Sequence, residues 1–246
     1  MNMDIDTSKE RLDDLGRNGF CIWQNPSLFC FGMDAVLLSH FAEISDKAKV
    51  LDICSGNGII PIMLRALDMG GSYTAVEYIK ENVDLANKSI AYNHMEDVMT
   101  MINGDITDEN LVLPERLYDV VTVNPPYMIG KHGLVNDFDA KAIARHEITC
   151  TLEDVVKFAA KYLRVHGKLY MVHRPFRLPE IMNEMSKYHI EPKRMRLVYP
   201  YVDKEPNMVL IEAVKGGNPR LTVEKPLIVY KDVNVYTDEV KNMYQG

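Results

Sequence analysis

The chain has 246 residues, 47% apolar and 26% charged, which is enough to bury one sizeable core in a soluble globular domain. A formal net charge of −7 argues against a protein that coats nucleic acid through general phosphate contact, while leaving room for a local basic face. No apolar run reaches the roughly eighteen residues of a membrane span, and Met1-Asn2-Met3-Asp4-Ile5-Asp6 has no signal or transit character. Cys21, Cys30, Cys54 and Cys150 have no CxxC spacing, so neither a zinc site nor a disulfide framework is indicated; a reducing cytoplasm is expected.

Residues 1–19 are mostly polar and read as a loosely held start with room for a short helix. Phe20-Cys21-Ile22-Trp23-Gln24 and Leu28-Phe29-Cys30-Phe31 flank an Asn25-Pro26 break and predict a β-hairpin. After Gly32, residues 34–41 read as a helix with Leu37, Leu38 and Phe41 on its apolar side. The first clear strand, 48–54, passes through Ser55-Gly56-Asn57-Gly58 into a helix over 59–67, stopped by Gly70-Gly71. A second strand, 73–76, ends at Glu77, and the helix from Lys80 buries Val83, Ala86 and Ile90. The third strand, 98–102, ends at Asn103-Gly104-Asp105.

The fourth strand, Tyr118-Asp119-Val120-Val121-Thr122-Val123, is a largely apolar run of the kind buried in a parallel sheet. It stops at Asn124-Pro125-Pro126-Tyr127, because two prolines cannot donate to a ladder and hold φ near −65°. Residues 128–150 carry no periodicity, which in a compact domain marks a functional or disordered loop. Thr151-Leu152-Glu153-Asp154 opens a helix in capping-box style, with Val155, Val156, Ala159 and Leu163 inward and Gly167 as its stop. A strand at 168–173, a helix over 178–188 and strands around 195–199 and 208–214 follow, then a tail with a strand-like 227–230. The order predicts a doubly wound, mainly parallel seven-stranded α/β sheet whose last strand is antiparallel, in one domain. Residues 1–45 form a hairpin-and-helix appendage, 46–216 the core and 217–246 the tail.

Open α/β sheets bind ligands at the C-terminal ends of their strands. At the first such end, Gly56 and Gly58 allow close backbone approach, and the helix N-terminus offers free N–H groups to a carboxylate. The third glycine of a dinucleotide fingerprint is missing. Asp52 adds a negative charge suited to an ammonium, so an amino-acid moiety satisfies both groups. Glu77 is placed to accept from a ribose diol and Asp105 from an adenine amino group. Each carboxylate alone reads equally as a solvated strand cap. Jointly they describe a nucleoside attached to an amino acid, which is S-adenosylmethionine. The Asn-Pro-Pro-Tyr segment, taken alone, is either a rigid turn or a ligand shelf.

The motifs at Asp52–Gly58, Glu77, Gly104-Asp105 and Asn124-Pro125-Pro126-Tyr127, in this order and spacing, resemble the class I S-adenosylmethionine-dependent methyltransferases that modify a planar amino nitrogen. Phe31-Gly32-Met33-Asp34-Ala35-Val36-Leu37-Leu38, Ala144-Arg145-His146-Glu147, Val172-His173-Arg174-Pro175 and Lys225-Pro226-Leu227-Ile228-Val229-Tyr230 are similar to the tRNA1(Val) adenine N6-methyltransferase family. The resemblance implies that Asn124 and Pro125 accept the amino hydrogens, that Pro126 leaves the Pro125 carbonyl exposed, and that Tyr127 stacks on the base. It implies cofactor contacts from Asp34, Asp52, Cys54, Ser55, Gly56, Asn57, Gly58, Glu77, Tyr78, Asp105, Ile106 and Asn124. In that family the turn commonly reads Asp-Leu-Gly-Thr-Gly-Asn-Gly; here Cys54-Ser55 stands for Gly-Thr. A tRNA substrate is implied, with Lys131, His132, Arg145, His146, Arg174, Arg194 and Arg196 as candidate phosphate contacts, and neither a metal nor an obligate protein partner. Ordinary solvated charge is the alternative for these basic residues. Guanine N2 in rRNA, a release-factor glutamine, or a noncatalytic module binding cofactor or RNA are the other functions open to this arrangement.

Overall fold

The computed structural model describes residues 7–28, 30–127 and 150–244. A hairpin of β1 (Arg11–Asp14) and β2 (Cys21–Gln24) leads to α1 (Met33–Phe41), β3 (Lys49–Ile53), α2 (Ile59–Ala66), β4 (Ser72–Glu77), α3 (Lys80–Tyr92), β5 (Met99–Asn103) and β6 (Tyr118–Val123). Beyond the shelf come α4 (Leu152–Tyr162), β7 (Leu163–His173), a 3-10 turn at Pro175–Arg177, α5 (Leu178–Lys187), β8 (Ile190–Tyr199) and β9 (Met208–Lys215). The tail holds β10 (Thr222–Val223), β11 (Leu227–Ile228), β12 (Tyr230–Asp232), β13 (Val235–Tyr236) and α6 (Asp238–Tyr244).

Strands β5, β4, β3, β6 and β7 are parallel neighbours in that order, and β9 lies antiparallel between β7 and β8. The doubly wound, mainly parallel sheet with a final antiparallel strand is therefore as expected. Its size is not: β10 and β11 pair parallel to the outer side of β8, so the sheet has nine strands rather than seven.

Period-two alternation divides the core into two layers. Val50, Tyr73, Ala75, Val120, Tyr170, Val172 and Leu210 face α1 and α2, while Leu51, Ile53, Val76, Val121, Val123, Met171 and Ile211 face α4 and α5. The valine, leucine, isoleucine and methionine side chains among them each contribute roughly 1.5–3 kcal/mol by leaving water. Because both faces are covered, β6 can be mostly apolar, its buried Thr122 being satisfied by Asp52 at 2.6 Å. The predicted capping box of α4 is present: Thr151 Oγ1 accepts from Asp154 N–H at 3.2 Å, and the Asp154 carboxylate accepts from Thr151 N–H at 2.8 Å.

Two local expectations are corrected. The hairpin pairs residues 11–14 with 21–24, in register Leu12 to Trp23, and not 20–24 with 28–31. Asn25 closes a turn on itself through Ser27 N–H, and the Gln24 side chain, not a strand, accepts from Phe31 N–H. The real turn uses the positive φ of Gly16, Asn18 and Gly19. Further on, α4 ends at Tyr162, and Leu163 already belongs to β7. Gly167 is not a helix stop but a point of close strand approach, where a Cβ would lie 2.9 Å from the Asp119 carbonyl oxygen.

Among the described residues, no helix is long and apolar enough to cross a membrane, and no three His, Cys, Asp or Glu side chains converge as metal ligands.

Candidate active site

The C-terminal ends of β3, β4, β5 and β6 open on a cleft of about 440 Å³. Cys54, Glu77, Tyr78, Asp105 and Ile106 line it, joined by Pro126 of the shelf and by Cys150. Tyr78 is half exposed, offering a ring at the mouth. The backbone amides of Gly56 and Ile79 each donate to a different Glu77 oxygen at 2.9 Å, fixing the carboxylate across the cofactor turn. Asp105 is held by Thr107, whose N–H and hydroxyl donate to Oδ1 at 2.8 and 2.7 Å.

The turn after β3 is shaped by left-handed residues: Cys54 at φ +57°, Gly56 at +56° and Gly58 at +82°. A Cβ at Gly56 would meet nothing within 4 Å, so the backbone there is open to an approaching group. Gly58 caps α2 in the left-handed conformation. The glycine usual at the Cys54 position of similar turns now has a physical reason, since a side chain at positive φ is strained. The Cys54 thiol is held well above its usual pKa by its contact with Cys150 and by burial.

Asp52 is fully buried. Thr122 Oγ1 donates to its Oδ1 at 2.6 Å, whereas Oδ2 has no hydrogen-bond partner, nor has the buried Ser55 Oγ. Burial pushes the Asp52 carboxyl up to about 7; the nearby Ser55 and Thr122 hydroxyls pull it down, and the Glu77 charge adds to the rise. Asn57 departs from expectation: it is buried, and its amide donates to the Trp23 carbonyl at 3.1 Å, tying the turn to the hairpin instead of reaching the cleft.

At the shelf, Asn124 Nδ2 donates to Asp34 Oδ2 at 3.0 Å, and the Tyr127 hydroxyl lies 2.7 Å from Asn124 Oδ1 and 3.0 Å from Asp34 Oδ2. Asp34, expected at the cofactor, is thus turned to the shelf and does not line the cleft. Burial and the Asp34 charge raise the Tyr127 pKa well above its usual range, so the phenol keeps its proton. The Tyr127 ring meets His173 edge-on at 5.2 Å, and the Arg174 guanidinium lies 4.7 Å from its centroid. His173 is buried, accepts from Arg174 N–H through Nδ1 at 2.8 Å, and is lowered to about 4, by burial first and then by Arg177. It is neutral, with its proton on Nε2. Pro125, Pro126, His173 and Arg177 border a second recess of about 220 Å³.

Of the basic residues expected to meet RNA, Arg174 stands at the shelf, where its Nη1 also donates to the Asn207 carbonyl at 2.9 Å. Arg194 is committed inward: it pairs with Glu212 and Glu224 at 2.9 Å each, donates to the Phe41 carbonyl and covers the Phe41 ring. Arg196 pairs with Glu239 at 2.7 Å and donates to the Lys225 carbonyl. Both hold the tail onto β8 and are withdrawn as phosphate contacts. Lys131, His132, Arg145 and His146 lie outside the described residues. Sequence reasoning missed Thr122 and Cys150 as site neighbours, although both flank motifs it had singled out.

A family model described as methyltransferase small domain matches residues 22–194. A tRNA1(Val) (adenine(37)-N6)-methyltransferase of Parabacteroides distasonis is 28% identical over 219 residues, covering 83% of this chain and 87% of the relative. One of the same description from Bacteroides thetaiotaomicron is 23% identical, covering 91% and 92%. Among solved structures, a predicted O-methyltransferase of Agrobacterium tumefaciens superposes with a TM-score of 0.68 at 22% identity, covering 86% of this chain and 95% of the other. Trm5 of Methanocaldococcus jannaschii, in complex with adenosine, has a TM-score of 0.56 at 16% identity, covering 85% and 57%.

Proposed function

The chain belongs to the methyltransferase small domain family, and on that premise we propose that it transfers a methyl group from S-adenosylmethionine to the exocyclic N6 of an adenine in tRNA. The relatives' names point to the adenine 3′ of the anticodon in a valine tRNA. The observation that carries the reading is the place of Pro126, which lines both the larger cleft and the smaller recess. Pro126, together with Cys150, therefore stands between a carboxylate-lined cleft and a second space bordered by Pro125, His173 and Arg177.

The residues present suit the cofactor. The buried, unpartnered Asp52 Oδ2 and Ser55 Oγ and the open approach over Gly56 fit an amino-acid end, while Glu77 and Asp105 fit a ribose and an adenine edge. When bound, S-adenosylmethionine supplies an electrophilic methyl group on a sulfonium.

An exocyclic amino nitrogen is a poor nucleophile because its lone pair is delocalised into the ring. Asn124 Oδ1 and the Pro125 carbonyl accept its two hydrogens, draw it toward tetrahedral geometry and stabilise the positive charge that grows on it. Pro126 has no N–H to compete for that carbonyl. Tyr127 offers an aromatic ring to a base that must leave its neighbours to reach the shelf, and neutral His173 supports the ring from its edge. One amino proton then leaves to water, so positioning carries most of the rate enhancement.

The reading is tested by nucleoside mass spectrometry of tRNA from a deletion strain, where N6-methyladenosine should vanish from the cognate tRNA. Unchanged N6-methyladenosine would sink it. In the purified protein, Asn124→Ala should lower transfer to unmodified tRNA by at least about 100-fold.

A further inference from the structure

Asp34 sits in the first turn of α1 with both carboxylate oxygens in use as acceptors. Oδ1 accepts from Ala35 N–H at 3.0 Å, and Oδ2 accepts from Asn124 Nδ2 at 3.0 Å. The Tyr127 hydroxyl reaches the same Oδ2 at 3.0 Å and Asn124 Oδ1 at 2.7 Å. A phenol has one proton, and both of these neighbours accept, so only one of the two contacts is a donated bond at any moment. The shorter contact caps Asn124 Oδ1, the atom that must accept a hydrogen from the incoming amino group.

We propose that Asp34 is a positioning residue for methyl transfer: it fixes the orientation of the Asn124 amide and receives the Tyr127 hydroxyl bond when the acceptor base claims Asn124 Oδ1. The two ends of an asparagine amide are nearly the same shape, so packing alone selects weakly between its two orientations. A carboxylate only accepts. Turning the amide over would set Asn124 Oδ1 against Asp34 Oδ2, two acceptors with no proton between them, and leave Nδ2 where the acceptor is needed. In the resting protein the Tyr127 proton satisfies Asn124 Oδ1. An incoming amino group brings its own hydrogen to that oxygen, and the phenolic O–H rotates to Asp34 Oδ2. No side chain gains or loses a proton in the exchange. The Asp34 charge also stays one amide away from the nitrogen that becomes positive.

A second observation accounts for the stretch Phe31-Gly32-Met33-Asp34. A Cβ on Gly32 would lie 2.9 Å from Asp34 Oδ1, so the glycine leaves the room that the folded-back carboxylate needs. Gly32 has φ −107°, a value open to any residue, which isolates space as the reason for it.

The inference rests on Asn124 as the acceptor of the amino hydrogen, so Asn124→Ala is measured alongside. Asp34→Asn keeps the size of the side chain, but one terminal atom becomes a donor and can no longer serve both Ala35 and the Asn124–Tyr127 pair. With the full chain and unmodified tRNA, kcat should fall about 10- to 100-fold, while KM for tRNA and the Kd for S-adenosylmethionine by calorimetry stay within about twofold. Gly32→Ala should show the same pattern. In a Tyr127→Phe background the loss from Asp34→Asn should be smaller than in the wild type, because the hydroxyl that Asp34 receives is gone. Wild-type kcat in Asp34→Asn, a loss confined to cofactor affinity, or multiplicative effects in the double variant would each overturn the proposal. If Asn124→Ala transfers methyl groups normally, the reading of the shelf falls and this inference with it. Inactive Asn124→Ala beside fully active Asp34→Asn overturns the positioning role alone.

Discussion

Replacing Asp52 with asparagine gives a direct reading of its environment. Its carboxyl is raised from 3.8 to about 7 by burial, a displacement of roughly three pH units and on the order of 4 kcal/mol. Between those two values the unfolded chain is ionised at Asp52 and the folded chain is protonated. The folded state therefore binds more protons, and stability falls as pH rises, by about 1.4 kcal/mol per unit until the folded pKa is passed. Asparagine keeps an acceptor for Thr122 Oγ1, which donates to Oδ1 at 2.6 Å, and mimics the protonated acid without titrating. Urea denaturation of both proteins without cofactor, at pH 5, 6, 7 and 8, isolates the residue because all other titrations cancel in the difference. Wild-type stability minus that of Asp52→Asn should drop by roughly 2.3 kcal/mol between pH 5 and pH 7 and by only a few tenths more to pH 8. Parallel pH profiles would show that Asp52 is ionised throughout and refute the reasoning. The same shift implies that S-adenosylmethionine, whose ammonium favours the ionised form, binds more tightly as pH rises toward 7 and releases a proton on binding. Calorimetry in buffers of different ionisation enthalpy detects that proton.

The remaining predictions concern the turn and the withdrawn arginines. Cys54 has φ +57°, so Cys54→Gly should be about 1 kcal/mol more stable than Cys54→Ala, the reverse of the usual order; equal midpoints in urea would argue against strain at this position. Arg194→Ala removes the partner of Glu224 and leaves Glu212 with Lys168 alone, at 3.1 Å, and should cost about 2 kcal/mol in denaturation, without changing the salt dependence of tRNA binding. A shallower salt slope in that variant would return Arg194 to the RNA surface.

Most of the sheet was legible because its signals are local. Residues 118–123 are mostly apolar, the turn after β3 carries Gly56 and Gly58, and two prolines end β6. The hairpin was misplaced because Asn25-Pro26 is a louder turn signal than Asn18-Gly19, although the latter supplies the positive φ values that the hairpin uses. What could not be read were long-range pairings. Asp34 is 90 residues from Asn124, and Arg194 is 18 and 30 residues from its glutamates. A basic residue and an acidic one at such distances look solvated in a sequence, and only the pairing of β9 with β8 and the folding of the tail onto β8 bring them together. The role of Asn57 was hidden for the same reason, since its partner is a backbone carbonyl on β2.

Three acidic side chains around the site show why residue type alone does not assign a role. Asp52 has one donated bond and an unpartnered oxygen in a fully buried position, so its charge is expensive until a cation arrives. Glu77 is buried as well, but two backbone N–H groups hold its oxygens, which makes it a fixed acceptor for a neutral donor such as a hydroxyl. Asp34 lies in the first turn of a helix with donors on both oxygens, which fixes its orientation. One is suited to pair with an ammonium, one to orient a sugar, and one to orient another side chain. Glu77 lines the cleft, Asp52 is fully buried on β3, and Asp34 is bonded to Asn124 of the shelf. On the proposed function, an Asp34 variant should therefore change turnover where an Asp52 variant changes cofactor affinity.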